Sequence, residues 1–224
     1  MRRKIADSIG AALLIVVAVT TGAATGPAAA AGDAAAGRWM AEEFSCNSCH
    51  GLMTDGDAAA PHIAGQKKDY LARQLAAFRE PRAKTPGPFK VFERDHPVMT
   101  AWTRPLTDAG IEDLSEYFAG LPCVPKRAFA ETQMPRPQLV DRCRFCHGET
   151  GVNPYVGYPN IGGQKKSYLV RQLLAFRKSA DHGGAVVKKT KDERFHRMMA
   201  PSVYDIKDGE IAALSEYYSK QSCQ

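Results

Sequence analysis

The chain has 224 residues, enough for one or two domains, with 8% aromatic residues, a formal charge of +6 and six cysteines. The sequence pI of about 9.0 is weak evidence for a nucleic-acid partner, because a basic patch reads equally well as a docking face for an acidic protein. Beyond the first residues no segment is long and apolar enough to cross a bilayer, which excludes a membrane-spanning mature protein.

Residues 1–31 read as a secretory signal peptide. Arg2, Arg3 and Lys4 form a basic start, an apolar run extends from Ala11 to Val19, and Ala28-Ala29-Ala30-Ala31 offers a small-residue cleavage site. The apolar run is shorter than the roughly 20 residues a spanning helix needs, so cleavage is expected rather than a retained anchor. Loss of Arg2, Arg3, Lys4 and Asp7 leaves +4 on a soluble, exported protein.

From Asp33 to Phe44 an Ala-rich helix runs into Cys46-Asn47-Ser48-Cys49-His50. Tyr70, Leu71, Gln74, Leu75 and Phe78 follow helical spacing, and Pro81 ends that helix. Thr107-Asp108 caps a third helix over Ala109–Ala119, with Ile111, Leu114, Tyr117 and Phe118 on one face and Gly120 and Pro122 as its stop. Residues 124–137 lie in the four-proline stretch Pro122–Pro137 and read as a stiff linker. The order then repeats. A shorter opening helix, curtailed by Pro135 and Pro137, leads to Cys143-Arg144-Phe145-Cys146-His147, followed by helices over Tyr168–Lys178 and Asp208–Ser219.

The repetition extends to side chains. Gly65–Arg79 reappears as Gly163–Arg177, and Ile111, Leu114, Ser115, Glu116 and Tyr117 reappear as Ile211, Leu214, Ser215, Glu216 and Tyr217. A period near 100 residues is too long for a solenoid and predicts two tandem all-α domains, 32–123 and 138–224. Each is small for a self-sufficient core, and a large apolar prosthetic group would fill the centre that three short helices cannot.

The pentapeptides say which group. On a helical turn, positions i, i+3 and i+4 share a face. Cys46, Cys49 and His50 therefore reach the two vinyl groups and the iron of one haem, and Cys143, Cys146 and His147 do the same for a second. Zinc would need a second ligand pair in each unit, and a thioredoxin-like site needs strands. Two covalently bound haem c groups are thus expected, whose four propionates add roughly −4 of charge.

For the sixth ligand, Met99 and Met199 each stand 18 residues before Tyr117 and Tyr217. They are the natural thioether donors, with Met198 a neighbouring alternative and the matched His96 and His196 the rivals for bis-His ligation. Pro61 and Pro159 also align, and a carbonyl there could accept a hydrogen bond from the ligand imidazole. His62 matches Asn160 and is expected at the surface. The pairs Lys67/Lys165 and Arg73/Arg171 are candidates for propionate contacts or for the wet side of a helix. Cys123 and Cys223 align just past the last helix of each unit, available for one disulfide tying the units, for free thiols or for an intermolecular pair.

Taken in order, Cys-x-x-Cys-His-Gly, Pro, Gly-Gln-x-x-x-Tyr-Leu-x-x-Gln-Leu-x-Ala-Phe-Arg, Met and a Leu-Ser-Glu-Tyr helix, present twice, resemble the cytochrome c4 family. The resemblance implies two class I cytochrome c domains related by pseudo-two-fold symmetry. It also implies His50 and Met99 on one iron and His147 and Met199 on the other. Family members look like soluble or peripheral periplasmic carriers between a quinol-oxidising cytochrome bc-type complex and terminal oxidases. The Cys123/Cys223 pair and the basic, Pro-rich loop Glu80–Val98 depart from that pattern. Two function classes follow: an electron carrier that is not an enzyme, or an enzyme component, either the electron-accepting subunit of a dehydrogenase or a dihaem peroxidase with one open iron position.

Overall fold

A computed structural model describes residues 32–50, 60–80, 92–123, 135–155, 157–180 and 194–223. The expected signal peptide, Pro81 with most of the Glu80–Val98 loop, and linker residues 124–134 lie outside the described residues.

The first half contains α1 (Ala34–Glu43), α2 (Cys46–His50), α3 (Lys68–Arg79), β1 (Phe92–Arg94), α4 (Pro97–Thr103) and α5 (Asp108–Gly120). The second contains α6 (Val140–His147), α7 (Lys166–Ala180), β2 (Arg194–His196), α8 (Met199–Val203) and α9 (Asp208–Ser219). The all-α expectation describes both halves, and α6 is indeed shorter than α1 and α2 together. The short strands β1 and β2 were not anticipated.

Local chemistry accounts for the ends. The Asp33 carboxylate accepts from the N–H groups of Ala35 and Ala36 at 2.8 and 3.3 Å, satisfying donors that the first turn of α1 leaves open. Thr107 does the same for Gly110 at 3.1 Å at the start of α5. In α9 the Glu210 carboxylate reaches back to the Lys207 N–H at 2.8 Å. The Asp33 N–H also donates to Asp113 at 2.7 Å, seating α1 against α5. That crossing is close: a Cβ on Gly37 would fall 2.0 Å from the Asp113 carbonyl oxygen, so only glycine fits.

Each half has its own core. Ala41, Leu71, Ile111, Leu114 and Phe118 form the first, and Val140, Leu169, Ile211, Leu214 and Tyr218 the second. A repeated arginine ties the cores to the final helices. Arg79 donates to the Leu106 carbonyl at 3.0 Å and to Asp108 at 2.6 Å, while Arg177 donates to the Ile206 carbonyl and to Asp208, both at 2.6 Å.

Backbone pairing, side-chain clasps and a covalent bond all join the halves. β1 and β2 pair antiparallel, with Phe92 opposite His196 and Arg94 opposite Arg194. The Gln66 side chain bonds both backbone groups of Asn160, and Gln164 does likewise to His62. Cys123 and Cys223 form a disulfide with Cα atoms 6.1 Å apart, which selects one of the three possibilities left by the sequence. Gly65 and Gly163, both at φ +68°, let the chain pass beneath it, since a Cβ would come within 2.9 Å of Cys123 and 3.0 Å of Cys223 respectively.

Candidate metal centres and the shared cavity

In both halves the pentapeptide sits on helix: Cys46–His50 is α2, and Cys143–His147 closes α6. Helical spacing therefore turns Cys46, Cys143 and Cys146, with both histidines, onto a cavity of about 820 Å³ that runs through the two halves. Cys49 is exposed and does not line it. Burial pushes the Cys46 thiol up and the Cys143 thiol up to about 11, the direction expected of sulfurs in apolar surroundings.

The imidazoles are held alike. His50 places Nδ1 2.9 Å from the Pro61 carbonyl oxygen, and His147 places Nδ1 3.2 Å from that of Pro159. A carbonyl only accepts, so Nδ1 carries the proton and the Nε2 lone pair is left for a metal. Burial lowers the pKa of both rings more than these carbonyls raise it, which favours the neutral form that ligation requires. The alignment of Pro61 with Pro159 thus has its physical reason.

Met99 and Met199 also line the cavity, Met99 from α4 and Met199 from the first position of α8. Met199 packs against the second core, whereas Met198 is 55% exposed. His96 is the cap of α4, its Nδ1 accepting from the Met99 N–H at 3.5 Å. His196 accepts from the N–H groups of Met198 and Met199 at 3.2 and 3.4 Å. His196 lines the cavity; His96 does not.

Some expectations need correction. His62 is half-buried at the junction, because Gln164 captures its backbone. Lys67 does not stay on the wet side of α3: its ammonium donates to the carbonyls of Asn153 and Tyr155 in the other half. Arg73 is exposed, as the wet-side expectation has it, and from there donates to the Gly157 carbonyl at 3.2 Å.

Sequence reasoning missed a polar cluster on the cavity wall. Arg94 donates to Gln74 of its own half and to the Tyr168 hydroxyl of the other at 2.9 Å. Arg194 donates to Gln172 of its own half and to the Tyr70 hydroxyl of the other at 3.0 Å. Each guanidinium also lies over a phenylalanine ring, Arg94 at 4.3 Å from Phe78 and Arg194 at 4.4 Å from Phe176. The signal was available, since Glu93-Arg94-x-His96 recurs as Glu193-Arg194-x-His196.

The donor set fits two haems. Three of the four pentapeptide cysteines, neutral imidazoles with Nε2 free, thioethers, leucine and phenylalanine walls and buried cations for carboxylates all converge on one space. The Cytochrome c family profile matches the chain twice, over residues 34–122 and 137–221. Cytochrome c4 of Stutzerimonas stutzeri is 34% identical over 178 residues, covering 74% of this chain and 81% of the relative. A thiosulfate dehydrogenase electron acceptor of Thiomonas intermedia is 30% identical over 67% of this chain and 72% of its own length. Among solved structures, reduced recombinant cytochrome c4 from Pseudomonas stutzeri superposes with a TM-score of 0.61 at 28% identity, covering 86% of this chain and all of that one. With two family matches, a Cys-x-x-Cys-His pentapeptide in each half and relatives of this kind, the chain belongs to the cytochrome c4 family: an electron-transfer protein carrying two covalently bound haem c groups.

Proposed function

We propose that His50 and Met99 ligate the first iron and His147 and Met199 the second, in a periplasmic carrier that takes electrons from a membrane quinol-oxidising complex and delivers them to a terminal oxidase or another redox partner. One observation carries this reading. Each half turns one neutral imidazole, half-buried for His50 and buried for His147, and one repeat-matched thioether onto the same cavity, so the chain supplies two axial donors per iron and no open position for a substrate. When bound, a haem with His and Met donors exchanges a single electron at a raised potential.

The chain's own residues do the remainder. The Pro61 and Pro159 carbonyls hold the imidazole planes and keep Nε2 deprotonated. Apolar walls exclude water, so little has to reorganise when charge changes. His96 and His196 use Nδ1 as an acceptor for main-chain N–H groups, which leaves the proton of the neutral ring on Nε2 and argues against bis-His ligation. The packing of Met199 on the core favours it over the exposed Met198.

Export is supported by the leader-like residues 1–31 and by the Cys123–Cys223 disulfide, a bond that persists in oxidising compartments. Among the described residues no helix is long and apolar enough to cross a membrane. A second reading has a specific basis: the relative from Thiomonas intermedia is named as the electron acceptor of a thiosulfate dehydrogenase. Under that reading the same carrier serves a dedicated dehydrogenase.

Visible spectra of the oxidised protein test the ligands. Met99→Leu and Met199→Leu should each remove about half of the sulfur–iron band at the red end; an unchanged spectrum would transfer the role to His96 or His196. A high-spin haem at neutral pH would sink the carrier reading. Isolation from periplasm with redox titration of both haems then separates the partners, a retained dehydrogenase favouring the second.

A further inference from the structure

Two arginines at the junction of the halves face the cavity with no counter-charge among the described residues. Arg94 and Arg194 stand directly opposite each other on the β1–β2 pair, 8% and 9% exposed. Their hydrogen-bond partners among the described side chains are neutral amides and phenols: Gln74, Gln172, Tyr70 and Tyr168. No described carboxylate lies within ion-pair distance of either, and the Arg194 Nε is buried with no acceptor. A guanidinium cannot escape burial by losing its proton, and two like charges side by side compound the cost. Such a pair is suited to receive anions in the cavity.

The anions available there are the haem carboxylates. We propose that Arg94 and Arg194 form one shared receptor for the propionates of both haems, so that each arginine governs the reduction potential of both centres and not merely that of its own half. The crossed anchoring carries this. Each guanidinium is gripped by a glutamine from its own half and a tyrosine from the other, and Tyr168 touches both arginines, at 2.9 and 3.5 Å. Neither cation belongs to one haem alone. A positive charge beside a haem favours the reduced state, and an unpaired propionate favours the oxidised one. Removing an arginine therefore acts twice in the same direction. The inference rests on haem in each half and is independent of which methionine ligates.

The test is redox titration of the dihaem protein, with haem stoichiometry and the sulfur–iron band read on the same samples. Arg94→Gln should lower the midpoint potentials of both haems and shift the propionate bending bands of the resonance Raman spectrum, while Arg94→Lys should restore most of the potential. Arg194→Gln and Arg194→Lys should behave in the same way. A fall confined to one haem, or no fall, would overturn the proposal, as would a lysine variant with potentials as low as those of the glutamine one. Tyr168→Phe keeps both charges and most of the packing, and covers the case in which an arginine variant fails to fold. It should lower both potentials by less, and unchanged potentials with unchanged propionate bands would overturn the proposal equally. An altered sulfur–iron band with intact potentials would instead count against the ligand assignment.

Discussion

Gln164 closes both ends of its amide on the backbone of His62, 102 residues away, accepting the His62 N–H at 2.9 Å and donating to its carbonyl at 2.8 Å. Gln66 makes the mirror pair on Asn160, at 2.9 and 2.8 Å. Two side chains thus satisfy four main-chain groups that the contact between the halves would otherwise strand from water. The symmetry follows from duplication, because each glutamine occupies the same place in its unit.

Gln164→Leu should cost about 2 kcal/mol, on the scale of roughly 1 kcal/mol per lost hydrogen bond with some added penalty for the stranded His62 groups. For a chain of this size that corresponds to a fall in Tm of roughly 4–8 °C. Gln66→Leu should match it, and the double variant should lose about twice as much. Thermal melts followed by circular dichroism read this directly. A double variant that melts with the parent would show that the halves are held elsewhere.

The disulfide is the second clamp. It joins positions 100 residues apart, so it withholds a large loop-closure entropy from the unfolded chain. Replacing Cys123 and Cys223 together by serine should cost about 2–5 kcal/mol on the same principle. Guanidinium titration of the parent, with and without a thiol reductant, should reproduce the difference; identical midpoints would remove the bond from the account.

A repeated surface ion pair makes a pH prediction. Lys166 lies 2.7 Å and Lys220 2.5 Å from the Glu216 carboxylate, as Lys68 lies 2.8 Å from Glu116 in the first half. The two hydrogen-bonded lysines pull the Glu216 carboxyl below its usual range. A carboxyl with a depressed folded pKa stabilises above its unfolded value, near 4.5, and that contribution is lost as pH falls through the folded value. The pair is largely solvated, so after screening its worth stays below about 1 kcal/mol. Glu216→Gln should be slightly less stable than the parent at pH 7, and the gap should close on acidification below the carboxyl range. A gap that persists at pH 2–3, in urea melts at low salt, would assign it to packing.

The amino-acid sequence by itself determined the repeat, the helices and the expectation of two haems, because all of these are written in short-range patterns. The repeat of the first unit predicts α9 over Asp208–Ser219, the range it occupies. Two pentapeptides carry their own chemistry, and the matched prolines pointed to the carbonyls that hold His50 and His147. What only the tertiary structure decided is how the halves meet. The β1–β2 pair, the glutamine clasps, the capture of the His62 backbone and the crossing of Arg94 to Tyr168 all join positions some 74 to 104 residues apart, where no local period records a partner. Three-residue strands are too short to show an alternation, and an arginine in a basic loop reads as solvated until a cavity is seen behind it. The physical reason is the same in each case. Local preferences are set by neighbours in the chain, whereas a buried charge or a captured backbone is defined by what lies across the interface.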